Sequence, residues 1–333
     1  MFSDKSRKVV EEFEERLHEE TQNQSHQTTE TPDNPDKEEQ KRREEELKSE
    51  IGEAETFFTL MRRMARENKL AVFSAVVILL FILAAILAPV LTPYSFSEMD
   101  LLHRLSPPSS AHIFGTDEAG RDIFTRLLYG SRVSLLTGVV PTILSMLLGA
   151  LLGVVSGYYG GWLDDLIMRF ADVVLAFPSM LLAMVIMYML GDGLFNVFLT
   201  LALVNWASVA RIVRSQTLAL KETEYVEAAR VIGVHRRRIL FRHLLPNCLP
   251  TLIVLFTLNV PSAILTESSL SFLGLGIQEP NASWGLMVNA GRQYLYNAPW
   301  LSLVPSVAIM LIVLAFNFLG DGLRDVLDPY QKK

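Results

Sequence analysis

The chain holds a single cysteine, Cys248, in 333 residues. An internal disulfide is therefore excluded, and a lone thiol at the entry to an apolar run reads as packed and inert. Lysine is nearly missing from the body, with only Lys221 between residues 70 and 320. No G-x-x-x-x-G-K-[ST] loop occurs, so nothing here cradles nucleotide phosphates in that manner. No HExxH and no Cys/His spacing suggests a metal. The six histidines are scattered or loop-bound. No G-x-S-x-G elbow and no nucleophile–base pair is found. Acids in or near apolar runs are few, Asp172, Glu267 and Asp321, all near the ends. An ion-driven carrier usually needs an ionisable cluster near the bilayer midplane, and that pattern is lacking. The sequence thus offers no catalytic residue, no metal site and no cofactor motif.

Apolar length is what it has in abundance. Half of the residues are hydrophobic. Residues 70–91 (LAVFSAVVILLFILAAILAPVL) are long enough to cross about 30 Å of hydrocarbon, and they lie too far from the start for a signal peptide. Further spans are predicted at about 135–156, 171–190, 194–213, 249–268 and 301–320. The spacing predicts an all-α polytopic membrane protein with six transmembrane helices. With the N-terminus inside, sixteen Lys/Arg fall on inner segments from Arg62 onward and five (Arg104, Arg121, Arg126, Arg132, Arg292) on outer ones. That bias predicts an N-in, C-in topology.

Charge is divided unevenly. Residues 1–56 carry 9 Lys/Arg against 18 Asp/Glu, whereas the rest carries 21 against 18. The net charge of −6 therefore describes an acidic cytoplasmic N-terminal extension, partly disordered and partly helical, that lacks the apolar residues to bury a core. The transmembrane domain is placed at 57–330. Phe57, Phe58, Arg62, Arg63, Arg66 and Lys69 suit an amphipathic entry helix at the inner headgroup layer.

Within that domain, Thr116 or Asp117 is expected to cap an outer helix running through about Arg126. Phe124, Leu127, Leu128 and Tyr129 would form a stripe on the outer surface. Asp117, Glu118 and Arg121 read better as local pairing at an interface than as a catalytic set. Gly149, Gly153 and Gly157 recur every four residues in the second span, the spacing that lets membrane helices approach closely. Pro178 should kink the third span.

Residues 221–246 (KETEYVEAARVIGVHRRRILFRHLLP) form a basic inner loop. Strong helix formers run from Thr223 to Ile232. Tyr225, Ala228, Ala229 and Ile232 fall on one face, two of them small enough for another surface to come close. Gly233 follows where a left-handed stop is needed. A second helix is predicted from Arg236 to Leu245, ended by Pro246. On physics alone two readings stand: a lever between the fourth and fifth spans, or a positive-inside loop with incidental alanines.

Glu227-Ala228-Ala229, Gly233 four residues on, and Leu245-Pro246 resemble the EAA loop of ABC importer permeases. FGTDEAGRDIFTRLLYGSRVSL (114–135), ESSLSFLGLG (267–276), SWG (283–285) and GDGLRDVLDP (320–329) extend the resemblance to the second permease subunit of the dipeptide/oligopeptide/nickel family, over about residues 57–330. The resemblance implies a type I ABC importer permease fold in the cytoplasmic (inner) membrane of a prokaryote. It implies that 222–233 is a coupling helix, with Glu224, Tyr225, Glu227, Ala228, Ala229, Ile232 and Gly233 at the ATPase contact. The partners it implies are a homologous second permease, two ATP-binding subunits and an extracytoplasmic solute-binding protein docking on 92–134 and 275–299. The chain itself would be no enzyme and would hold no cofactor. The cargo expected is dipeptides or oligopeptides, with nickel or another small solute of the same family as the alternative and an ion-coupled carrier behind both.

Overall fold

A computed structural model describes residues 68–327. The acidic extension, the entry helix before residue 68 and the last residues of the 320–329 motif lie outside that range. Among the described residues every regular element is helical, apart from one isolated bridge between Thr116 and Asp122, with long irregular segments at 92–122 and 273–283.

The first long helix, α1 (Lys69–Leu91), opens where the Asn68 side chain accepts from the Ala71 amide at 3.0 Å, relieving one unpaired N–H of the first turn. The second, α2 (Ile123–Tyr159), is 37 residues long and starts later than the expected outer helix. Asp122, not Thr116 or Asp117, caps it, accepting from the Thr125 amide at 2.7 Å. Asp117 instead folds the turn before it, taking the amides of Ala119 and Arg121 at 2.8 and 2.9 Å. No breaker lies between Ile123 and the second apolar run, so the outer helix and the span are one continuous rod. Phe124, Leu127, Leu128 and Tyr129 consequently are packed rather than laid on the surface. Leu128 is buried, Phe124 meets Phe114 edge-on at 5.7 Å, and Leu127 packs on the core around Trp284.

The third span starts earlier than expected and is broken. Helices α3 (Gly161–Ala176) and α4 (Ser179–Leu190) meet at 95° across Phe177-Pro178. Pro178 has no N–H to continue the ladder and pushes Phe177 into extended backbone. Then come α5 (Leu194–Lys221), α6 (Glu224–Val231) and α7 (Arg236–Ile239). A π-turn (Leu240–Leu244) and α8 (Leu245–Asn247) lead into α9 (Leu249–Phe272). The expected stop at Pro246 does not occur. Leu245 N–H bonds back five residues to the Leu240 carbonyl, and this wider turn gives the proline ring room inside a nearly continuous helix. Helices α10 (Trp284–Gly291) and α11 (Trp300–Leu327) complete the described residues. Five helices (α1, α2, α5, α9, α11) are long and apolar enough to cross a membrane, and α3–α4 makes a sixth if the bent pair is one span.

Four apolar clusters hold the described helices, and two of them frame the regions of interest. One gathers Ile264, Trp284, Leu301 and Ile312, with the Trp284 indole donating to the Leu127 carbonyl at 3.2 Å. The other gathers Val154, Tyr158, Val213, Ile239 and Leu244 below the loop at 221–246. Between α2 and α5 the glycine series forms the contact. A methyl carbon on Gly149, Gly153 or Gly157 would lie 2.7, 2.5 or 2.9 Å from the carbonyl oxygens of Trp206, Ala210 and Arg214.

Candidate functional site

The loop at 221–246 is built by alternating commitments inward and outward. Thr223 precedes α6 in extended backbone, and its hydroxyl donates back to the Leu220 carbonyl at 2.6 Å. This joins α6 to the end of α5 with two residues between them. Glu224 and Glu227 occupy the first turn, where the helix dipole favours negative charge.

At the far end the chain closes in a Schellman turn. Gly233 has φ +77°, its N–H donates to Arg230 O at 3.0 Å, and Val234 N–H donates to Ala229 O at 3.0 Å. A side chain there would pay the left-handed penalty. Nothing lies within 4 Å of a methyl placed on Gly233. Backbone conformation, and not crowding within this chain, therefore requires glycine here.

Val226 and Ala229 face inward, into the core shared by α2, α5 and α9. This corrects the expected outward face: Ala229 belongs to the buried side. Tyr225, Ala228 and Ile232 are exposed, as are Glu224 and Glu227. Val231 and Ile232, at 81% and 78% exposure, form with Tyr225 an apolar patch rimmed by charge, the surface chemistry of an interaction site. Glu227 makes no ion pair or side-chain hydrogen bond among the described residues. Its carboxylate is available to another chain.

Two contacts escaped sequence reasoning. Asn247 Nδ2 donates to the Tyr225 hydroxyl at 3.0 Å, latching α6 to the root of α9. The Arg230 guanidinium lies 5.4 Å from the Tyr158 ring centroid, a cation–π distance. Arg236, Arg237, Arg238 and Arg242 stay exposed along the following helical turns.

At the opposite end of α2, charges are buried rather than displayed. Arg121 and Arg126 are each 2% exposed. Arg121 donates to Asp117 at 2.6 Å and, with both terminal nitrogens, to Glu279 at 2.8 Å; Arg126 reaches Glu279 at 3.3 Å. The expectation of local pairing at 117–121 thus holds only in part, because the decisive acid lies 158 residues away. The Arg121 hydrogen bonds hold the Glu279 carboxyl below its ordinary value. A depressed carboxylate stabilises the fold above the unfolded-state pKa, and that contribution fades as pH falls through the folded-state pKa. We expect thermal stability to drop on the acid side of the usual carboxylate range, and Glu279→Gln to remove this part of the pH dependence. Glu279→Ala, leaving two buried guanidiniums under-paired, should cost about 1–3 kcal/mol in unfolding experiments at neutral pH. An unchanged melting temperature in that variant would show the clamp to be idle.

The remaining acids lie apart. Asp172 pairs with Arg211 at 2.5 Å in the open, and Glu267 is buried, accepting from Ser271 Oγ at 2.8 Å. Among the described residues no group of His, Cys, Asp and Glu has metal-ligating geometry.

The family model described as "binding-protein-dependent transport system inner membrane component" matches residues 149–333. The "N-terminal TM domain of oligopeptide transport permease C" matches 56–108. The chain is 47% identical to a dipeptide transport system permease of Alkalihalophilus pseudofirmus, over 81% of this chain and 89% of that one. It is 44% identical to an oligopeptide transport system permease of Bacillus subtilis, over 80% and 88%. It is 45% identical to a glutathione transport system permease of Pectobacterium atrosepticum, over 81% and 90%. Among solved structures, the inward-facing MetNI methionine ABC transporter contains a chain of the same fold. The TM-score is 0.50 at 21% identity, over 60% of this chain and 96% of that one.

Proposed function

The chain belongs to the family of binding-protein-dependent transport system inner membrane components, and on that premise we propose that it is the transmembrane permease subunit of an ATP-driven importer of dipeptides or oligopeptides. The observation that carries the cargo is identity of 44–47% with dipeptide and oligopeptide permeases across four-fifths of the chain. The observation that carries the mechanism is the exposed, rimmed apolar patch on α6, fixed to the ends of two spans and lacking any phosphate loop of its own.

In this reading α3–α4 is one broken span, so six spans put both termini, and α6, on the cytoplasmic side of a prokaryotic inner membrane. Residues 57–330 are the permease domain and 1–56 a separate acidic extension. One of two ATPase subunits receives Glu224, Tyr225, Glu227, Ala228, Ile232 and Gly233 in a groove, with Ala229 holding the helix from beneath. A sister permease completes the path, and a solute-binding protein delivers cargo to the outer loops. Closure of the ATPases moves α6, and α5 and α9 follow as rigid bodies.

The test is uptake into proteoliposomes. The chain assembled with sister permease and ATPases should accumulate labelled di- to tetrapeptides only with ATP and binding protein. Uptake of a nickel chelate but not of peptide would shift the cargo to the family's other branch. Accumulation by this chain alone under a proton gradient would replace the proposal with an ion-coupled carrier.

A further inference from the structure

One cavity has no part in this reading. It measures about 440 Å³ and lies where the end of α2, the end of α5, the back of α6 and the start of α7 converge. Its walls carry Lys221, Arg230 and Arg236, with the phenols of Tyr158 and Tyr159 beside them and Ile239 within the lining. Three cations from three consecutive elements thus border one opening. Among the described residues no carboxylate pairs with any of them. Asp164, the acid whose field Lys221 reaches, is itself occupied by Arg214 through two bonds of 2.6 Å. Neither phenol hydroxyl has a hydrogen-bond partner among the described residues, so both are available as donors.

We propose that this cavity binds the phosphate headgroup of an anionic membrane phospholipid. An ammonium and two guanidiniums are the donors that suit phosphate oxygens, and a phosphodiester brings the charge the cavity lacks. Its position selects a lipid over a free anion. The cavity sits at the ends of two helices long and apolar enough to cross a membrane, where the headgroup layer begins. Tyr158, Tyr159 and the 75%-exposed Trp162 make an aromatic set of the kind found at that layer. Leu166 and Phe170, exposed one and two turns beyond Trp162, continue an apolar strip on which acyl chains can lie. The inference needs the chain to be a membrane protein and does not depend on the coupling role of α6. If both hold, a lipid at this place bridges α6 to α2 and α5 from behind.

The full chain, purified in neutral detergent, is titrated with phosphatidylglycerol and phosphatidylcholine and followed by native mass spectrometry. Phosphatidylglycerol should be retained and phosphatidylcholine should not. The triple variant Lys221→Gln/Arg230→Gln/Arg236→Gln should weaken phosphatidylglycerol binding on the order of 100-fold, and the exposed single change Arg236→Gln about fivefold. The single variant serves if the triple fails to fold. Arg237→Gln/Arg238→Gln, the same kind of charge loss outside the cavity, should keep the lipid. Excess inorganic phosphate should not displace it. Equal retention of phosphatidylcholine, full binding by Arg236→Gln, or equal loss in the Arg237/Arg238 control would overturn the site. Displacement by phosphate would assign it to a free anion.

Discussion

Gly153→Leu is expected to leave no folded chain in the membrane. A Cβ at this position lies 2.5 Å from the Ala210 carbonyl oxygen and 2.9 Å from Val213 Cβ. The nearest obstacle is backbone, which cannot swing aside as a flexible side chain would. Helices α2 and α5 must separate, and the buried contacts of Val154, Ala210 and Val213 are lost together. Without a hydrophobic drive between helices in lipid, this close packing is a main source of their association. Gly153→Ala alone should cost about 1–3 kcal/mol, the usual range for overpacking, and leucine adds three more carbons to a space that has none. The series should rank Gly153 above Gly149 above Gly157, following approaches of 2.5, 2.7 and 2.9 Å. Thermal unfolding of detergent-purified variants reads this order. A Gly153→Leu protein melting like the parent would show that the two helices are not locked.

The same glycines show what a sequence can and cannot disclose. Four-residue spacing marked a face of α2 without naming its mate, because the α5 residues it meets, Trp206, Ala210 and Arg214, lie far along the chain. Spans were legible because hydropathy integrates over twenty residues. Their ends were not where a polar approach joined the span without a breaker. Thr116 or Asp117 reads as the cap in sequence where Asp122 is the cap in the fold, because the outcome depends on which amides each carboxylate reaches. The Arg121–Glu279 clamp had no local signal at all, since its halves are 158 residues apart, with α2 to α9 between them.

On α6 the difficulty is of another kind. Apolar residues stand at 225, 226, 228, 229, 231 and 232, nearly all round a two-turn helix, so periodicity defines no single face. Burial of Val226 and Ala229 was decided by Val154, Val213 and Leu252 on neighbouring helices. The chemistry of the patch was visible in sequence, and its direction was not. Orientation matters mechanically. Val226 and Ala229 weld α6 to a core that includes α5, and the glycine contact leaves α5 no room to slide on α2. A displacement imposed on the outer side of α6 is therefore passed to two spans rather than absorbed.

Ile232→Asp is accordingly expected to abolish ATP-driven uptake while the chain folds normally. Ile232 and Val231 project from the fold, and a charge at so exposed a position changes stability by no more than about 0.5 kcal/mol. If the patch seats in an ATPase groove, the same charge lies at the centre of a buried interface. The loss there is about 2 kcal/mol or more, roughly 30-fold in affinity. Val226→Asp should show the reverse, failing at folding because a carboxylate enters a closed apolar core. Glu227→Ala separates two roles of one residue. Its effect on the helix dipole is about 0.3–1 kcal/mol, so a transport defect far beyond that size reports a partner contact. Gly233→Pro forbids φ +77° and deletes the N–H that meets Arg230, so α6 loses its turn and its aim. Ile232→Asp, Glu227→Ala and Gly233→Pro should each assemble with the sister permease, yet lose the rise in ATP hydrolysis that binding protein evokes. Uptake at the parental rate in both Ile232→Asp and Gly233→Pro would mean that force enters this chain somewhere other than α6.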